Sequence, residues 1–133
     1  YIETGGGTVT WCIGHIMKSY TPEEYNPAWA KWNLDNLPML IDEWKIKVEP
    51  DKAKQFKVIK ELLANASEVV NAGDPGREGQ LIVDEVLQFL KNKKPVKRVL
   101  LFSLDAKYIQ NAFTQLQDNA KFFPLYEAAV CRG

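Results

Sequence analysis

Cysteine and histidine are scarce in this 133-residue chain: Cys12, Cys131 and His15 are the full complement. Two cysteines so far apart in sequence make neither a metal knuckle nor a disulfide framework, and this fits a cytoplasmic setting. No stretch reaches the apolar length of a membrane span. The amino terminus also lacks the basic-then-apolar layout of a signal peptide. Charge of one sign is missing as well, because Lys+Arg and Asp+Glu both total 17. Without a net basic character the chain has no global signature of nucleic-acid binding, so any such contact must be local. Repeats and low-complexity tracts are absent too.

What is present is apolar content of 46%, including four tryptophans, in a length suited to one domain with one core. Thr8 to Ile13, rich in β-branched and aromatic residues after a glycine turn, is expected to be a strand. Tyr20 to Leu40 carries Pro22, Pro27 and Pro38 and reads as a loop with short turns. Trp44, Ile46 and Val48 alternate with Lys45 and Lys47 at the period of a half-buried strand. Asp51 is placed to cap a helix whose apolar face is Phe56, Ile59, Leu62 and Leu63.

The second half alternates more regularly. Glu68 to Asn71 reads as a strand and Glu78 to Leu90 as a helix burying Leu81 or Ile82 with Val86, Phe89 and Leu90. Arg98 to Phe102 reads as another strand. Ser103 is a candidate cap for a helix through Ile109, Ala112, Phe113 and Leu116, with Asp105 in its first turn. Strands alternating with helices imply an α/β fold with a parallel, doubly covered sheet. Val69-Val70 and Val99-Leu100-Leu101-Phe102 are its central candidates.

The chemistry concentrates in Asp74-Pro75-Gly76-Arg77-Glu78-Gly79-Gln80. Asp74 follows a strand and Glu78 lies in the first turn of the next helix, so two carboxylates converge where α/β proteins place their sites. At about 4 Å separation and an effective dielectric near 20 they repel by roughly 4 kcal/mol, which calls for a cation or a shared proton. Magnesium suits oxygen ligands completed by substrate phosphates. A helix amino terminus favours phosphate at the same place, and Arg77 offers a forked donor. The plainer reading is a turn, with Asp74 bonding the backbone, Pro75 presetting φ and Gly76 taking a positive φ. Spacing alone leaves both open.

The segment Gly73 to Leu87, running Gly-Asp-Pro-Gly-Arg-Glu-Gly-Gln-Leu-Ile-Val-Asp-Glu-Val-Leu, resembles the TOPRIM acidic motif of bacterial type IA DNA topoisomerases, in the topoisomerase III branch. Val9-Thr10-Trp11-Cys12-Ile13-Gly14-His15 resembles that family's second strand and Gly-His turn. Lys31 to Pro38 resembles the stretch that follows, and the likeness runs along nearly the whole chain. The resemblance implies a TOPRIM-like, Rossmann-like, mostly parallel central sheet covered by helices on both faces. It also implies Mg2+ held by Asp74 and Glu78 as metal or acid/base carboxylates, and Arg77 as a phosphate or carboxylate partner. The implied partners are DNA, with single-stranded regions preferred, and the other domains of a parent enzyme; neither a membrane nor a nucleotide cofactor is implied.

Two departures stand beside the likeness. The family pattern Asp-x-Asp-Arg-Glu-Gly has its second Asp where this chain has Gly76, so one of the two aspartates assigned to magnesium is replaced. The family's catalytic Glu strand is expected ahead of Tyr1, since Glu3 precedes a Thr4-Gly5-Gly6-Gly7 hairpin turn. Its nucleophilic tyrosine is expected in a separate downstream domain. Tyr1, Tyr20, Tyr25, Tyr108 and Tyr126 all read as surface or packing residues. The alternatives are a degenerate TOPRIM-like module that contacts DNA or protein without metal chemistry, or a TOPRIM nuclease or primase.

Other candidates are weaker. His15 follows Gly14 at a strand end and reads as a partly exposed turn residue; the resemblance adds a place near nucleic acid or the active site. Lys91, Lys93, Lys94, Lys97 and Arg98, with Lys52, Lys54, Lys57 and Lys60 on a helix, are basic runs that read first as solvated faces. Trp11, Trp29, Trp32 and Trp44 read as packing residues before they read as platforms for unpaired bases.

Overall fold

The computed structural model describes residues 1–132 of the chain. A hairpin opens it: β1 (Ile2–Thr4) pairs antiparallel with β2 (Gly7–Val9), turning at Gly5-Gly6, and Thr4 Oγ1 donates to the Gly7 carbonyl at 2.7 Å. The strand expected over Thr8–Ile13 stops at Val9. Thr10 and Trp11 find no strand partner and are held instead by the Gln55 side-chain amide, which donates to Thr10 Oγ1 and the Trp11 carbonyl.

Next, β3 (Met17–Ser19) pairs antiparallel with β4 (Ile46–Val48). Between them runs the proline-bearing segment, as expected, as α1 (Pro22–Tyr25) followed by 3-10 turns at Pro27–Ala30 and Leu34–Asn36. Its polar groups are satisfied locally. Asn26 and Asn33 accept from backbone amides two residues on, and the Tyr25 hydroxyl accepts from the Lys45 amide at 2.6 Å. Glu24 pairs with Lys47 across the sheet edge, and that contact holds its carboxyl down at about 2.

Helix α2 (Ala53–Asn65) presents Phe56 and Ile59 inward, matching the apolar spacing. Asp51 does not cap it. Pro50 starts a 3-10 turn over Pro50–Lys52, so Asp51 lies inside that turn and Lys52 occupies the cap position. The core gathers Ile16 just ahead of β3, Met17 from β3, Ile59 from α2 and Val86 from the next helix, with Phe56, Ile46 and Val48 against it. Phe89 meets Phe56 edge-on at 5.7 Å but stays partly exposed. Tryptophans contribute less than expected: Trp11, Trp32 and Trp44 are exposed.

The second half forms one mixed sheet. β5 (Val69–Asn71) lies parallel to β6 (Val96–Arg98), joined through α3 (Arg77–Phe89), and β7 (Gln117–Asp118) adds antiparallel to β6. The α/β class therefore holds, in small sheets of order β1-β2, β3-β4 and β5-β6-β7, of which only the β5-β6 pair is parallel among the described residues. The strand expected at Arg98–Phe102 lies earlier, because Asn71 pairs with Arg98 and ends the ladder there. Val99 is buried just past it and Phe102 is out in solvent.

Helix α4 (Ala106–Phe113) is capped by Asp105, whose Oδ1 accepts from the amides of Lys107 and Tyr108. Ser103 accepts from the Asp105 amide and so shapes the turn ahead of the cap. α5 (Phe123–Val130) packs on α3. Among the described residues no helix is long and apolar enough to cross a membrane.

Ile16→Ala removes a side chain with 1% exposure from the centre of this core, and is expected to cost about 2–5 kcal/mol. Trp32→Ala, at 82% exposure, is expected to change stability by no more than about 0.5 kcal/mol. Chemical denaturation of both variants checks the contrast.

Candidate functional site

Backbone contact, more than side-chain packing, shapes the turn between β5 and α3. A Cβ at Gly79 would stand 2.3 Å from the Asp74 carbonyl oxygen and 2.5 Å from its amide nitrogen. One at Gly73 would stand 2.6 Å from the Gly79 carbonyl oxygen. The loop therefore lies directly on the first turn of the helix, closer than any side chain permits. Gly76 is different. Its φ of −130° is ordinary extended backbone, and nothing lies within 4 Å of where its Cβ would be. The expected positive φ at Gly76 is thus corrected: its amide donates back to the Asp74 carbonyl at 2.8 Å around Pro75, a tight turn that needs no left-handed residue. Gly76 then serves as the helix cap position, with no side chain to fill it.

Asp74 lies in the turn that follows β5 and Glu78 in the first turn of α3, both exposed. Arg77 opens the helix beside them, also exposed. Among the described residues no Lys or Arg side chain forms a salt bridge with either carboxylate. Glu78 does have a neighbour that spacing did not foretell. His15 Nε2 lies 3.5 Å from Glu78 Oε2, and His15 Nδ1 lies 3.5 Å from Glu85 Oε2, two turns further along the same helix.

His15 is delivered by three local devices. Gly14 takes a left-handed φ of 63°, the Lys52 ammonium donates to the His15 carbonyl at 2.9 Å, and Ile16 is anchored in the core immediately after. The imidazole is partly exposed, as expected, and its place beside Glu78 joins the Gly-His turn to the acidic loop. Burial pushes the Glu85 carboxyl up; the bond and charge from His15 oppose this and the Glu78 charge adds to it.

Beneath the loop lies a buried polar network. Arg98 is 1% exposed. Its guanidinium donates to the carbonyls of Asn71, Gly73 and Val99 through one nitrogen and to the Asp74 carbonyl at 2.6 Å through another. The Asn71 side chain accepts from the Gly73 amide at 3.0 Å and donates to Asn119 Oδ1 at 3.1 Å. Gln80 and Asn119 in turn donate to the two oxygens of the buried Asp84 carboxylate, at 2.7 and 2.9 Å. Burial lowers the Arg98 pKa, while Asp84 and Asp74 raise it in opposition.

The expectation that Arg98 belongs to a solvated basic run is therefore corrected. Lys94 departs from it as well, since its ammonium donates to the Leu63 and Ala64 carbonyls at the end of α2. Sequence reasoning missed Asn71, Gln80, Asp84, Glu85 and Asn119. The four-residue spacing of Gln80 and Asp84 was a usable signal, since it puts both on one helix face; Asn119 carried none.

Magnesium keeps waters and takes phosphate oxygens, so it needs only one or two protein carboxylates. Asp74 and Glu78 are the carboxylates that this turn offers. No cluster of three or more His, Cys, Asp or Glu suited to a metal occurs among the described residues. At Gly76 a Cβ would meet nothing within 4 Å, so the backbone there leaves room for a side chain to start.

Gly79→Ala is expected to cost about 1–3 kcal/mol or more through overpacking against Asp74. Gly76→Ser should be neutral within about 0.5 kcal/mol or slightly stabilising through a cap bond, and thermal melts of the two variants check the difference. A carboxyl whose folded value lies above its unfolded one stabilises at low pH, and that contribution is lost as pH rises through the raised value. Glu85→Gln is therefore expected to melt above the parent chain at pH 7, with the gap closing near pH 4, measured by melts across that range.

A family model described as the Toprim domain matches residues 1–104. The chain is 41% identical over 138 residues to DNA topoisomerase 3 of Salmonella typhimurium, covering all of this chain and 21% of that protein. It is 41% identical over 135 residues to DNA topoisomerase 3 of Staphylococcus epidermidis, again over all of this chain, and 37% identical over 132 residues, or 96% of this chain, to that of Vibrio cholerae. The chain spans about a fifth of the length of these curated relatives. With the acidic loop, its close-packed glycines and the Gly-His turn assembled at one edge, the chain belongs to the Toprim domain family.

Proposed function

We propose that this chain is the TOPRIM segment of a type IA DNA topoisomerase of the topoisomerase III kind, binding DNA and Mg2+ and supporting single-strand cleavage, strand passage and religation in the whole enzyme. One observation carries the reading: Asp74 and Glu78 occupy one β-to-α junction, exposed and without a Lys or Arg salt bridge among the described residues. Relatives named DNA topoisomerase 3 along the full chain support it.

In this reading Asp74 and Glu78 hold the ion, which when bound neutralises charge on the phosphodiester. Arg77 and the free amides opening α3 hold phosphate oxygens, and His15 orients Glu78 through its 3.5 Å contact. DNA with a single-stranded region is the substrate, which puts the enzyme in the cytoplasm. Residues 1–133 act as one domain, the nucleophilic tyrosine and the remaining machinery belong to other domains of the parent, and the β5–β6 pair forms part of a larger parallel TOPRIM sheet.

Gly76 favours a second reading, a degenerate module that keeps the fold and a DNA or protein contact without metal chemistry. Calorimetric titration with Mg2+ decides between them. The parent chain is expected to bind weakly and Gly76→Asp to bind about tenfold more tightly, a gain of roughly 1.4 kcal/mol. Asp74→Asn should remove binding from both. Binding in the Gly76→Asp variant alone supports the degenerate module, and no binding in either overturns the carboxylate pair.

A further inference from the structure

Arg98 closes β6 opposite Asn71, which closes β5, so its side chain reaches across the carboxyl end of the parallel pair just where the acidic loop departs. Three carbonyls, that of Asn71 at the end of β5 and those of Gly73 and Asp74 in the loop, converge on its guanidinium within 2.6–3.1 Å. Two of these acceptors are met by one guanidinium nitrogen and the third by the other, a division that suits a forked donor and does not suit the point charge of a lysine. The guanidinium is itself held from behind. Asn71 Oδ1 accepts from it at 3.3 Å, Asn119 bridges Asn71 to Asp84, and Gln80 joins Asn119 to the same carboxylate. Asp84, 5% exposed, is the buried countercharge.

We propose that Arg98 is a positioning residue for the Asp74 carboxylate. By fixing the carbonyls of Gly73 and Asp74 it sets where that carboxylate points, and the relay Asp84–Gln80–Asn119–Asn71 fixes Arg98. The proposal rests on the reading of Asp74 as a cation-holding group, and it extends the site to residues that touch neither ion nor DNA. The relay also ties the loop to Asn119, beyond β7, so a shift of that segment is felt at Asp74.

The decisive experiment uses the 15N-labelled chain with Mn2+ alone as probe. Three variants are compared: Arg98→Lys, which keeps the charge and loses the fork; Asn119→Ala, which cuts the relay; and Ile59→Val, a core change away from the loop that lowers the melting temperature. In metal-free protein, Arg98→Lys and Asn119→Ala are expected to lose the backbone order of Gly73 and Asp74, read from heteronuclear relaxation. Both are also expected to weaken Mn2+ binding, read from paramagnetic broadening of the Asp74 and Gly79 amides, tenfold or more. Ile59→Val is expected to change neither. If Arg98→Lys does not fold, Asn119→Ala decides alone. Parental loop order in every folded variant overturns the inference, as does equal loss in Ile59→Val. Absence of Mn2+ binding in the parent chain counts against the proposed function, and the metal-free loop order then decides the positioning role by itself.

Discussion

The seating of the Asp74 backbone on the α carbon of Gly79 is the constraint from which the rest of the site follows. No L side chain fits there, since any Cβ would fall well inside contact distance of the Asp74 carbonyl. The loop is thereby pressed onto the helix start, so the Asp74 backbone lies against the residue that follows Glu78. The carbonyls of Gly73 and Asp74 are partly buried in this turn, and a donor meets them there. Arg98 is that donor.

A buried guanidinium brings its own demand. Desolvation penalises the charged form, and the interior answers with Asp84 and with carbonyl acceptors in place of water. Polar groups thus form the floor of the site, whereas the apolar core of Ile16, Met17, Ile59 and Val86 lies on the other side of α3. The helix is the shared wall. Its Val86 is buried in the apolar core, its Gln80 and Asp84 in the polar floor, and its Glu78 and Glu85 face His15.

Much of this was legible in the residues. Alternation found β4, three- and four-residue spacing found the buried face of α2, and the prolines marked the irregular stretch after Tyr20. Errors came where a local preference met a partner it had no knowledge of. Asp51 is a good cap by type, yet Pro50 begins the turn one residue sooner. Asp105 outcompetes Ser103 because its carboxylate reaches two amides at once. Val99 to Phe102 has strand composition, but the ladder ends where β5 ends, at Asn71 opposite Arg98. Three tryptophans that composition assigned to packing are exposed, because burial depends on which surfaces meet and not on the size of the ring.

The sequence by itself determined an acidic turn between a strand and a helix, and a Gly-His turn upstream. These are properties of neighbouring residues, and local backbone preference is enough to express them. Only the tertiary structure decided that Gly79 is a contact glycine while Gly76 is an open one, that His15 lies between Glu78 and Glu85, and that Arg98 is buried under the loop. The last two depend on distances between segments tens of residues apart, which close packing sets and adjacency along the chain does not encode.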